Sequence, residues 1–599
     1  MKSSYEHQPL TLPNSIRVLT LEPATSPKAP LECSLSEVDL DNITPSSSYE
    51  ALSYVWGERV GTIPILCHGK QLLVTPNCRD ALLGLRKPYK RRRLFIDAIC
   101  IDQRQEPSSV LERGRQIELM GRVYELAHTV VIWLDQSHPA MPRFFRFLRL
   151  LNWATENIKR GDAAKIENAY HTLSQNDWFK RVWTLQEQAF ANPKTSIIVC
   201  GHHQISCETL EKTHGQLIYA GVGDHTLFSI WEMIELRIGI SRAVRLFNEI
   251  IPISEGLTGH NKKVISSPLL RVDGMWKAVQ NLDSTIPQDK IFGVYGIFGR
   301  LGLNPTPNPN SSMALADVFE ATTRGIIRMT NSLHIIGMCS REVCITEGLP
   351  SWVPDWIMKW PDPSGAHMDG YAITRWKGRH ISERNSDYDA TKNTSLMVRE
   401  FSSKGMLNLR GAIIGKVDIL DVSATIGSYR PNGDTVILRD YLQACRIWCK
   451  TVALFPTYCN GSPTIDAVAQ VLLLHQGEKT IESMQKDQTL MAREFSEWFD
   501  LMLYPDCKNH QLKQRIERDI RQIRLSNPEI DPESHFARGF HVCKEDDVVA
   551  LLAGYEFPVA LRPDGGGNYR FVAPLYVHGI MHGEAWPEDE SELEEIVLV

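Results

Sequence analysis

The sequence predicts an α/β protein in which a mostly parallel sheet flanked by helices is followed by a helical middle region and a β-rich C-terminal part. Three observations support this fold class. The chain has 599 residues, 43% apolar and 23% charged, which is typical of a globular protein with more than one hydrophobic core. Its N-terminal third alternates apolar strands with helical segments. Its C-terminal end contains short β-type runs separated by Gly and Pro.

Five apolar runs in the N-terminal third fit buried strands of one sheet. They are Glu50–Val55, Ile63–Cys67, Leu94–Ile101, Thr129–Leu134 and Ser196–Cys200. Segments with helical character separate these runs, and this alternation favours parallel strands joined by crossover helices. Before them, Ser15–Leu21 predicts a leading strand at the edge of the sheet.

Two helices are predicted between the later strands. One begins near Ser109, because Ser109 and Glu112 fit a capping box and apolar residues follow at helical spacing. The other covers Trp178–Ala189 and ends before Asn192 and Pro193, a turn pair that leads into the next strand. We expect both helices to pack on the sheet.

The sequence suggests four regions. Residues 1–48 form an N-terminal extension, residues 49–215 the α/β domain, and residues 216–400 a mainly helical middle region. Residues 401–599 form a β-rich C-terminal domain with a helical insertion at about 425–535. The last strands of this domain predict a small antiparallel barrel or sheet. The acidic stretch Glu588–Glu595 is expected to be a solvated tail.

Charge and cysteine content exclude several classes of protein. Lys and Arg number 65 against 71 Asp and Glu, so the net charge of −6 gives no global basic field for nucleic acid. The absence of a secretory signal, and of an apolar stretch near the ~18 residues of a membrane span, indicates an intracellular, cytoplasmic protein. The 13 cysteines include no C-x-x-C pair, so we expect reduced thiols and no metal site. The basic run at residues 86–93 fits a nuclear address or a phosphate contact, but a solvated loop is favoured.

Two carboxylates interrupt or end the third predicted strand. Asp97 stands inside a run that is otherwise typical of a buried strand, and a buried carboxylate is costly unless it has a partner. A structural ion pair or backbone hydrogen bonds would explain Asp97 as well as a catalytic role would. Asp102, at the predicted carboxyl end of the same strand, is better placed for a ligand, because open α/β sheets bind small molecules there.

Trp183 and Glu187 are four residues apart, so a helix would place the indole and the carboxylate on one face, with Arg181 within a turn of them. That face suits a flat anionic ligand such as a dinucleotide. Cleavage of the nicotinamide-ribose bond of NAD expels a neutral base, so one carboxylate could support it without a paired acid and base. A core position for Trp183 and an ion pair for Glu187 remain an equal alternative.

Three ordered blocks carry a resemblance to a known family: Tyr49–Gly57, Leu94–Gln103 and Arg181–Glu187. They resemble the heterokaryon incompatibility (HET) domain of fungi, whose members act in non-self recognition and programmed cell death. Phe95 stands where the family usually has Trp. Two further segments, Pro287–Gly296 and Tyr576–Glu584, look like those of long HET-domain proteins.

HET domains have been likened to Toll/interleukin-1 receptor (TIR) domains, some of which cleave NAD with a glutamate in a W-C-x-x-E motif. Trp183 and Glu187 have the same spacing. The resemblance therefore implies a TIR-like, flavodoxin-like sheet with Glu187 as the essential acid and Asp97 and Asp102 as further catalytic candidates. It implies no required cofactor, and NAD as substrate. The implied ligand-binding residues are Trp183, Arg181, Trp56, Ser53 and Gln103.

The resemblance leaves three functional hypotheses. The first is a death effector of non-self recognition, triggered by self-association or by a partner protein and acting by NAD cleavage. The second is a non-enzymatic recognition and assembly module. The third is a HET-domain accessory protein recruited to another pathway, such as a biosynthetic gene cluster.

Overall fold

The computed structural model describes most of the N-terminal third of the chain and separate stretches of the rest. The described residues are 3–134, 176–219, 237–245, 279–302, 313–339, 345–358, 389–398, 403–417 and 543–599, without 59, 202, 545 and 578, and with the isolated residues 145, 146, 148, 234, 275, 309, 537 and 538. Contacts divide the chain into two units, Met1–Gly325 and Ile326–Val599. The predicted boundary at residue 215 falls inside the first unit. The predicted helical insertion at 425–535 lies outside the described residues.

The first unit contains a mixed nine-stranded sheet with the order β5-β4-β2-β1-β6-β3-β7-β8-β9. Its strands are β1 (Ser15–Leu21), β2 (Glu32–Asp39), β3 (Glu50–Tyr54), β4 (Ile63–Cys67), β5 (Lys70–Val74), β6 (Arg92–Phe95), β7 (Thr129–Leu134), β8 (Ile197–Cys200) and β9 (His203–Ser206). The centre, β6-β3-β7-β8, is parallel throughout. β3 comes first in the chain, but in the sheet it lies between β6, the second of these four strands, and β7, the third. The strand order therefore reverses between β3 and β7, which is the place where doubly wound sheets open a ligand crevice at the carboxyl ends of their strands.

The prediction of a mostly parallel sheet is wrong in its outer parts. Antiparallel pairing joins β1 to β2 and β6, β4 to β5, and β8 to β9. The predicted edge strand β1 is instead an interior strand between β2 and β6. Its side chains are almost all buried, as its apolar sequence predicted. An apolar run cannot indicate the neighbours of a strand, because parallel and antiparallel pairing bury the same side chains.

The third predicted strand is shorter than expected. β6 ends at Phe95, and the chain then forms a single helical turn, α2 (Asp97–Cys100), in which the amides of Ile99 and Cys100 bond to the carbonyl of Ile96. Asp97 therefore follows the strand instead of interrupting it. The change moves its carboxylate to the carboxyl edge of the sheet.

Most of the described helices are short. The helices are α1 (Pro76–Leu85), α2 as above, α3 (Pro107–Leu126), α4 (Asp177–Lys180), α5 (Trp183–Phe190), α6 (Cys207–Tyr219), α7 (Asp289–Phe292), α8 (Tyr295–Arg300) and α9 (Leu315–Thr330), and the three longest of them are α3, α6 and α9. Short 3₁₀ turns cover His334–Cys339 and Glu590–Glu592. None of these helices combines the length and apolar character that a bilayer crossing needs.

Both helix predictions need correction at their ends. α3 begins two residues before Ser109, with Pro107 in the first turn, and no side chain caps its first amides. The Ser109 hydroxyl bonds elsewhere, so the predicted capping box does not form. The helix predicted at Trp178–Ala189 is two helices, α4 and α5, separated at Arg181. Backbone pairing with Asp283 holds this break, because the amide of Val182 donates to the Asp283 carbonyl at 3.0 Å.

The second unit contains a closed five-stranded barrel with the order β10-β12-β13-β14-β16, as the C-terminal sequence predicted. Its strands are β10 (Leu407–Lys416), β12 (Val548–Leu552), β13 (Val559–Pro563), β14 (Tyr569–Pro574) and β16 (Glu594–Leu598). β11 (Ala537–Arg538) pairs separately with β15 (Tyr576–Val577). The acidic stretch is not a free tail, because Glu594 and Glu595 begin β16 and Ile596 is fully buried. Its acidic residues are exposed to solvent, whereas Leu593 between them is buried.

We expect Gly84→Ala in α1 to destabilise the first unit by about 1–3 kcal/mol, because a Cβ there would lie 2.2 Å from the ring of buried Trp133 on β7. Gly239→Ala is the matched helical control, since nothing lies within 4 Å of its Cβ position. The control should be neutral or stabilising by up to ~1 kcal/mol. The measurement is hydrogen exchange of peptides from α1 and β7 across a urea series. Equal protection in the two variants would contradict the packing.

Candidate functional site

The candidate site lies where β3 and β6 end. Ser53 is the penultimate residue of β3, and Asp97 follows β6 on the neighbouring parallel strand. Glu187 reaches the same place from α5, the helix that precedes β8. The structure therefore brings together three residues that the sequence places far apart, at the carboxyl edge of the parallel strands.

A chain of hydrogen bonds fixes the Glu187 side chain. Only 4% of this residue is exposed. The Ser53 hydroxyl donates to Glu187 Oε2, and the same Ser53 oxygen accepts a hydrogen bond from Trp178 Nε1 at 2.8 Å. Because the indole N–H can only donate, it turns the Ser53 proton towards the carboxyl group. The three side chains form one buried network, which we call the Glu187 network.

Burial, and then the nearby charge of Asp97, raise the pKa of Glu187 to about 8, although the Ser53 hydrogen bond, Arg181 and Arg237 lower it. Tyr124 of α3 stands on the other side of the carboxyl group. Burial and the charge of Glu187 raise the pKa of Tyr124 well above its usual value, and its hydroxyl donates to the Leu52 carbonyl at 3.1 Å. Glu187 is therefore an acid that carries a proton near neutral pH.

Asp97 has the partner that its sequence context predicted. The indole Nε1 of Trp56 donates to both carboxylate oxygens, at 3.0 and 2.9 Å, and the Ala98 amide donates to Oδ1 at 2.7 Å. Burial raises the pKa of Asp97, while Arg181 opposes the shift. Unlike Glu187, Asp97 keeps part of its surface accessible, as does Trp56. These two residues form the outer part of the site.

Arg181 supplies the positive charge of the site. It lies in the break between α4 and α5, where its Nη1 donates to the Tyr54 carbonyl at 3.4 Å. Its side chain is partly exposed, and its charge lowers the pKa of both Asp97 and Glu187. Within the described part of the chain, no carboxylate forms an ion pair with it at 4.0 Å or less.

Asp102 and Gln103 lie in other contacts. Arg104 donates to the Asp102 carboxylate from Nε at 3.1 Å and from Nη2 at 2.8 Å, and the Ser109 hydroxyl donates to Asp102 Oδ2 at 2.8 Å. Burial opposes ionisation of Asp102, but these bonds outweigh it and hold its pKa below the usual range. Gln103 donates to the backbone carbonyls of Asp97 and Ile101 and so closes the α2 turn. Both residues stabilise the segment after β6 without pointing to Glu187.

The Trp183 indole also has a partner away from the carboxyl group. Trp183 begins α5, keeps part of its surface exposed, and donates from Nε1 to Asp289 Oδ2 at 3.1 Å. Glu187 on the same helix bonds to Ser53 instead. The predicted common face of indole and carboxylate therefore does not form one binding surface. The indole contacts α7, and the carboxyl group contacts β3.

Arg237, which the sequence did not single out, holds the break between α4 and α5. It is 1% exposed and donates to the carbonyls of Phe179 at 2.9 Å and Arg181 at 3.1 Å. Its guanidinium lies 5.0 Å from the centre of the Trp178 ring. Burial lowers the pKa of Arg237 to about 9, while the charge of Glu187 raises it. No motif or spacing connects residue 237 with residue 187, so only the tertiary structure could find this contact.

The segment Pro287–Gly296, noted in the sequence, packs against α5. The Gly296 amide donates to Gln186 Oε1 at 2.6 Å, next to Glu187 in the chain. Gly296 also approaches Gly121 of α3 so closely that a Cβ on it would lie 3.2 Å from the Gly121 Cα. Lys290 is buried and donates to the carbonyls of Val279 at 2.9 Å and Gln280 at 3.2 Å. The segment therefore supports the helix that carries the candidate acid.

The described residues contain no cluster of three or more His, Cys, Asp or Glu side chains that could hold a metal ion. A surface groove of about 320 Å³ lies between residues Tyr5–Leu10 and the β2-β4-β5 side of the sheet. Glu187 is not among the residues that line this groove.

The raised pKa of Glu187 predicts a pH-dependent stability. Above pH ~4.5 the unfolded chain loses this proton while the folded chain keeps it until pH ~8, so stability falls as pH rises through this window. We expect Glu187→Gln to remove this loss, with a slope difference of up to ~1.4 kcal/mol per pH unit. Urea midpoints of both proteins between pH 5 and 9 measure it. Parallel curves would contradict the raised pKa.

Asp102 should behave in the opposite way. We expect Asp102→Asn to destabilise the protein by about 1–3 kcal/mol at neutral pH, because it removes an acceptor of Arg104 and Ser109 while Arg104 remains partly exposed. The low pKa stabilises the protein above pH ~4 and this contribution disappears as pH falls, so the difference should shrink in acid. Thermal midpoints from pH 3 to 7 would test this. A constant difference would contradict the charged pairing.

Comparison with known proteins places these contacts in a family. Residues 49–187 match the model of the family described as heterokaryon incompatibility protein (HET). The chain is also similar to heterokaryon incompatibility protein 6, OR allele, of Neurospora crassa, at 24% identity over 701 aligned positions that cover 100% of this chain and 98% of the relative. No solved structure matches the chain. The family match runs from the start of β3 to the candidate acid on α5, and this protein is therefore a HET domain-containing protein.

Proposed function

We propose that the protein acts in heterokaryon incompatibility as an effector of fungal non-self recognition, and that it promotes cell death by cleaving NAD at the Glu187 network. The incompatibility role is supported by the HET match and by the relative that is covered almost end to end. The catalytic part depends on one observation. Two carboxyl groups with raised pKa values, Glu187 and Asp97, lie near the partly exposed cation Arg181, where parallel strands end.

The cationic nicotinamide ring provides the reason for a buried acid. Glu187 holds its proton in the protein alone, because burial disfavours its charge. A positive charge within a few ångströms would favour the ionised form and release the proton to solvent, and the Ser53 hydroxyl already donates a hydrogen bond to this carboxyl group. The carboxylate would then oppose the positive charge that develops on the ribose carbon as the bond to nicotinamide breaks.

Asp97 and Arg181 would carry out the remaining tasks of the reaction, proton acceptance and substrate binding. The C1′–N bond breaks, its electron pair leaves with neutral nicotinamide, and water adds to C1′ to give ADP-ribose and one proton. Asp97, the more accessible acid, would accept that proton from the water. Arg181 would bind the pyrophosphate through its outer N–H groups. The TIR-like comparison is supported by the order of the parallel strands and by the position of the acid helix before the fourth of them.

A non-enzymatic assembly module is the second candidate, and the 4% exposure of Glu187 favours it. In that case the Glu187 network only stabilises the edge of the sheet, since its hydroxyl and indole are satisfied within the protein. The incompatibility role would then depend on self-association or on a partner protein, with no chemistry at this site.

The experiment that separates the two candidates follows nicotinamide release from NAD by the purified full-length protein. Glu187→Gln should lower kcat by ~100-fold or more, because it removes the charge that the transition state requires. Glu125→Gln is the matched control, since this acid-to-amide change on α3 lies in an ion pair with Arg300 and not in the Glu187 network. Arg181→Ala should mainly raise KM.

The full chain is required because a fragment ending near residue 215 lacks Arg237 and Gly296, which hold α5. A folded, concentrated protein that releases no nicotinamide would remove the catalytic proposal. If expression in fungal cells still caused death with Glu187→Gln, the assembly module would be favoured instead.

A further inference from the structure

We propose that Cys33 and Cys67 are a peroxide-sensitive thiol pair whose oxidation joins β2 to β4 by a disulfide bond. In the sheet, β1 separates these two strands from the parallel strands β6-β3-β7-β8 that carry the Glu187 network. The proposed modification does not depend on NAD cleavage. The relevant strands are neighbours near one edge of the nine-stranded sheet. Both cysteines are free thiols in the structure.

The register of the two strands places the cysteines side by side. β2 and β4 run parallel, and their paired residues are Glu32 with Leu66 and Cys33 with Cys67. Neighbouring strands lie about 4.8 Å apart, which falls within the Cα separation of about 4.4–6.8 Å that a disulfide needs. The Cys33 thiol donates to the Leu66 carbonyl at 3.4 Å and also interacts with the Cys67 thiol. A disulfide therefore requires a rotation of the side chains and little movement of the backbone.

The surroundings make Cys67 the more reactive thiol. Its hydrogen bonds with Cys33 and with the Tyr5 phenol lower the pKa of Cys67 despite its burial. The same contact with Cys67, and then burial, raise the pKa of Cys33. Cys67 is thus the thiolate that attacks, and Cys33 is the thiol that resolves the intermediate.

Tyr5 and the N-terminal segment that carries it separate the two cysteines from solvent. Cys67 is fully buried and Cys33 is 6% exposed. Tyr5 lies over Cys67 and stacks on His68 with ring centres 5.9 Å apart. The segment that carries Tyr5 is attached to β5 by backbone hydrogen bonds of 2.8 and 2.9 Å to Gln71. Tyr5 and His68 also line the groove of about 320 Å³, which admits a molecule as small as a peroxide.

The chemistry balances with hydrogen peroxide as the oxidant. The Cys67 thiolate attacks one peroxide oxygen, the O–O bond breaks, and the leaving hydroxide takes up the proton that the Cys67 thiol had released, so the products are a sulfenic acid and water. The Cys33 sulfur then attacks the sulfenic sulfur, and a second water leaves with the Cys33 proton. Two thiols and one hydrogen peroxide thus give one disulfide and two water molecules.

The disulfide would act at one of the two shortest junctions of the sheet, since β2-β4 and β3-β6 each have two pairs of residues. Seven residue pairs join β1 to β2, whereas two pairs join β2 to β4. The β4-β5 hairpin, which leads into α1, therefore depends on a short contact that local opening can break. A covalent link at Cys33 and Cys67 would hold the hairpin on the sheet in oxidising conditions and release it when the bond is reduced.

The test exposes the reduced full-length protein to hydrogen peroxide and then alkylates the denatured chain. We expect two fewer alkylated thiols and a proteolytic peptide in which Cys33 is linked to Cys67. Cys33→Ser and Cys67→Ser should abolish this linked species, while Cys207→Ser, a buried cysteine in α6, should leave it unchanged. Tyr5→Phe should slow its formation about threefold to tenfold, because one hydrogen bond to the thiolate is lost.

A second measurement does not depend on variants that fold. Hydrogen exchange of residues 63–74 in the native protein should slow on oxidation and return to its first rate after a dithiol reductant. The proposal is overturned if the folded wild-type protein keeps both thiols, if Cys67 pairs with another cysteine, or if it passes to sulfinic acid without a disulfide.

Discussion

The buried carboxyl group of Glu187 is the constraint on which the candidate site depends. An acid that is 4% exposed must receive hydrogen bonds or keep its proton, and Glu187 does both. Ser53 can direct its proton to Glu187 because the indole of Trp178 occupies the other side of the hydroxyl oxygen. The arrangement joins the end of β3, the helix α4 and the helix α5 through a single polar network. The Arg237 guanidinium, 5.0 Å from the centre of the Trp178 ring, adds a charged contact to this network.

The residues that hold this network come from a longer part of the chain than the HET match. Arg237 donates to the carbonyls of Phe179 in α4 and of Arg181 in the α4-α5 break, Asp283 pairs with the backbone of this break, and the Gly296 amide donates to Gln186. All three lie after residue 187, where the family match ends. They belong to the first unit, Met1–Gly325. The site is therefore supported by parts of the first unit that lie beyond the HET match, and the physical role of Pro287–Gly296 is the support of α5.

The carboxylates that follow β6 have different tasks because their neighbours differ. Asp97 receives an indole N–H and remains partly open to solvent, with a raised pKa. Asp102, five residues later, meets the guanidinium of Arg104 and is held ionised. A short helical turn between them changes the direction of the chain. A charged partner favours the ionised form and an apolar enclosure favours the neutral one, so proximity in sequence does not give the two acids a common role.

The sequence by itself determined the central strands, the existence of a partner for Asp97, four of the five barrel strands and the family blocks. Those properties depend on local apolar runs, on the cost of a buried charge and on residue identity, all of which can be recognised without coordinates. Only the tertiary structure decided that β1 is an interior strand, that Asp102 is separate from Glu187, and that Arg237 and Trp178 complete the site. Strand neighbours and the convergence of side chains distant in sequence depend on how elements pack. Packing energy is summed over many long-range contacts, and no periodicity within one segment records it.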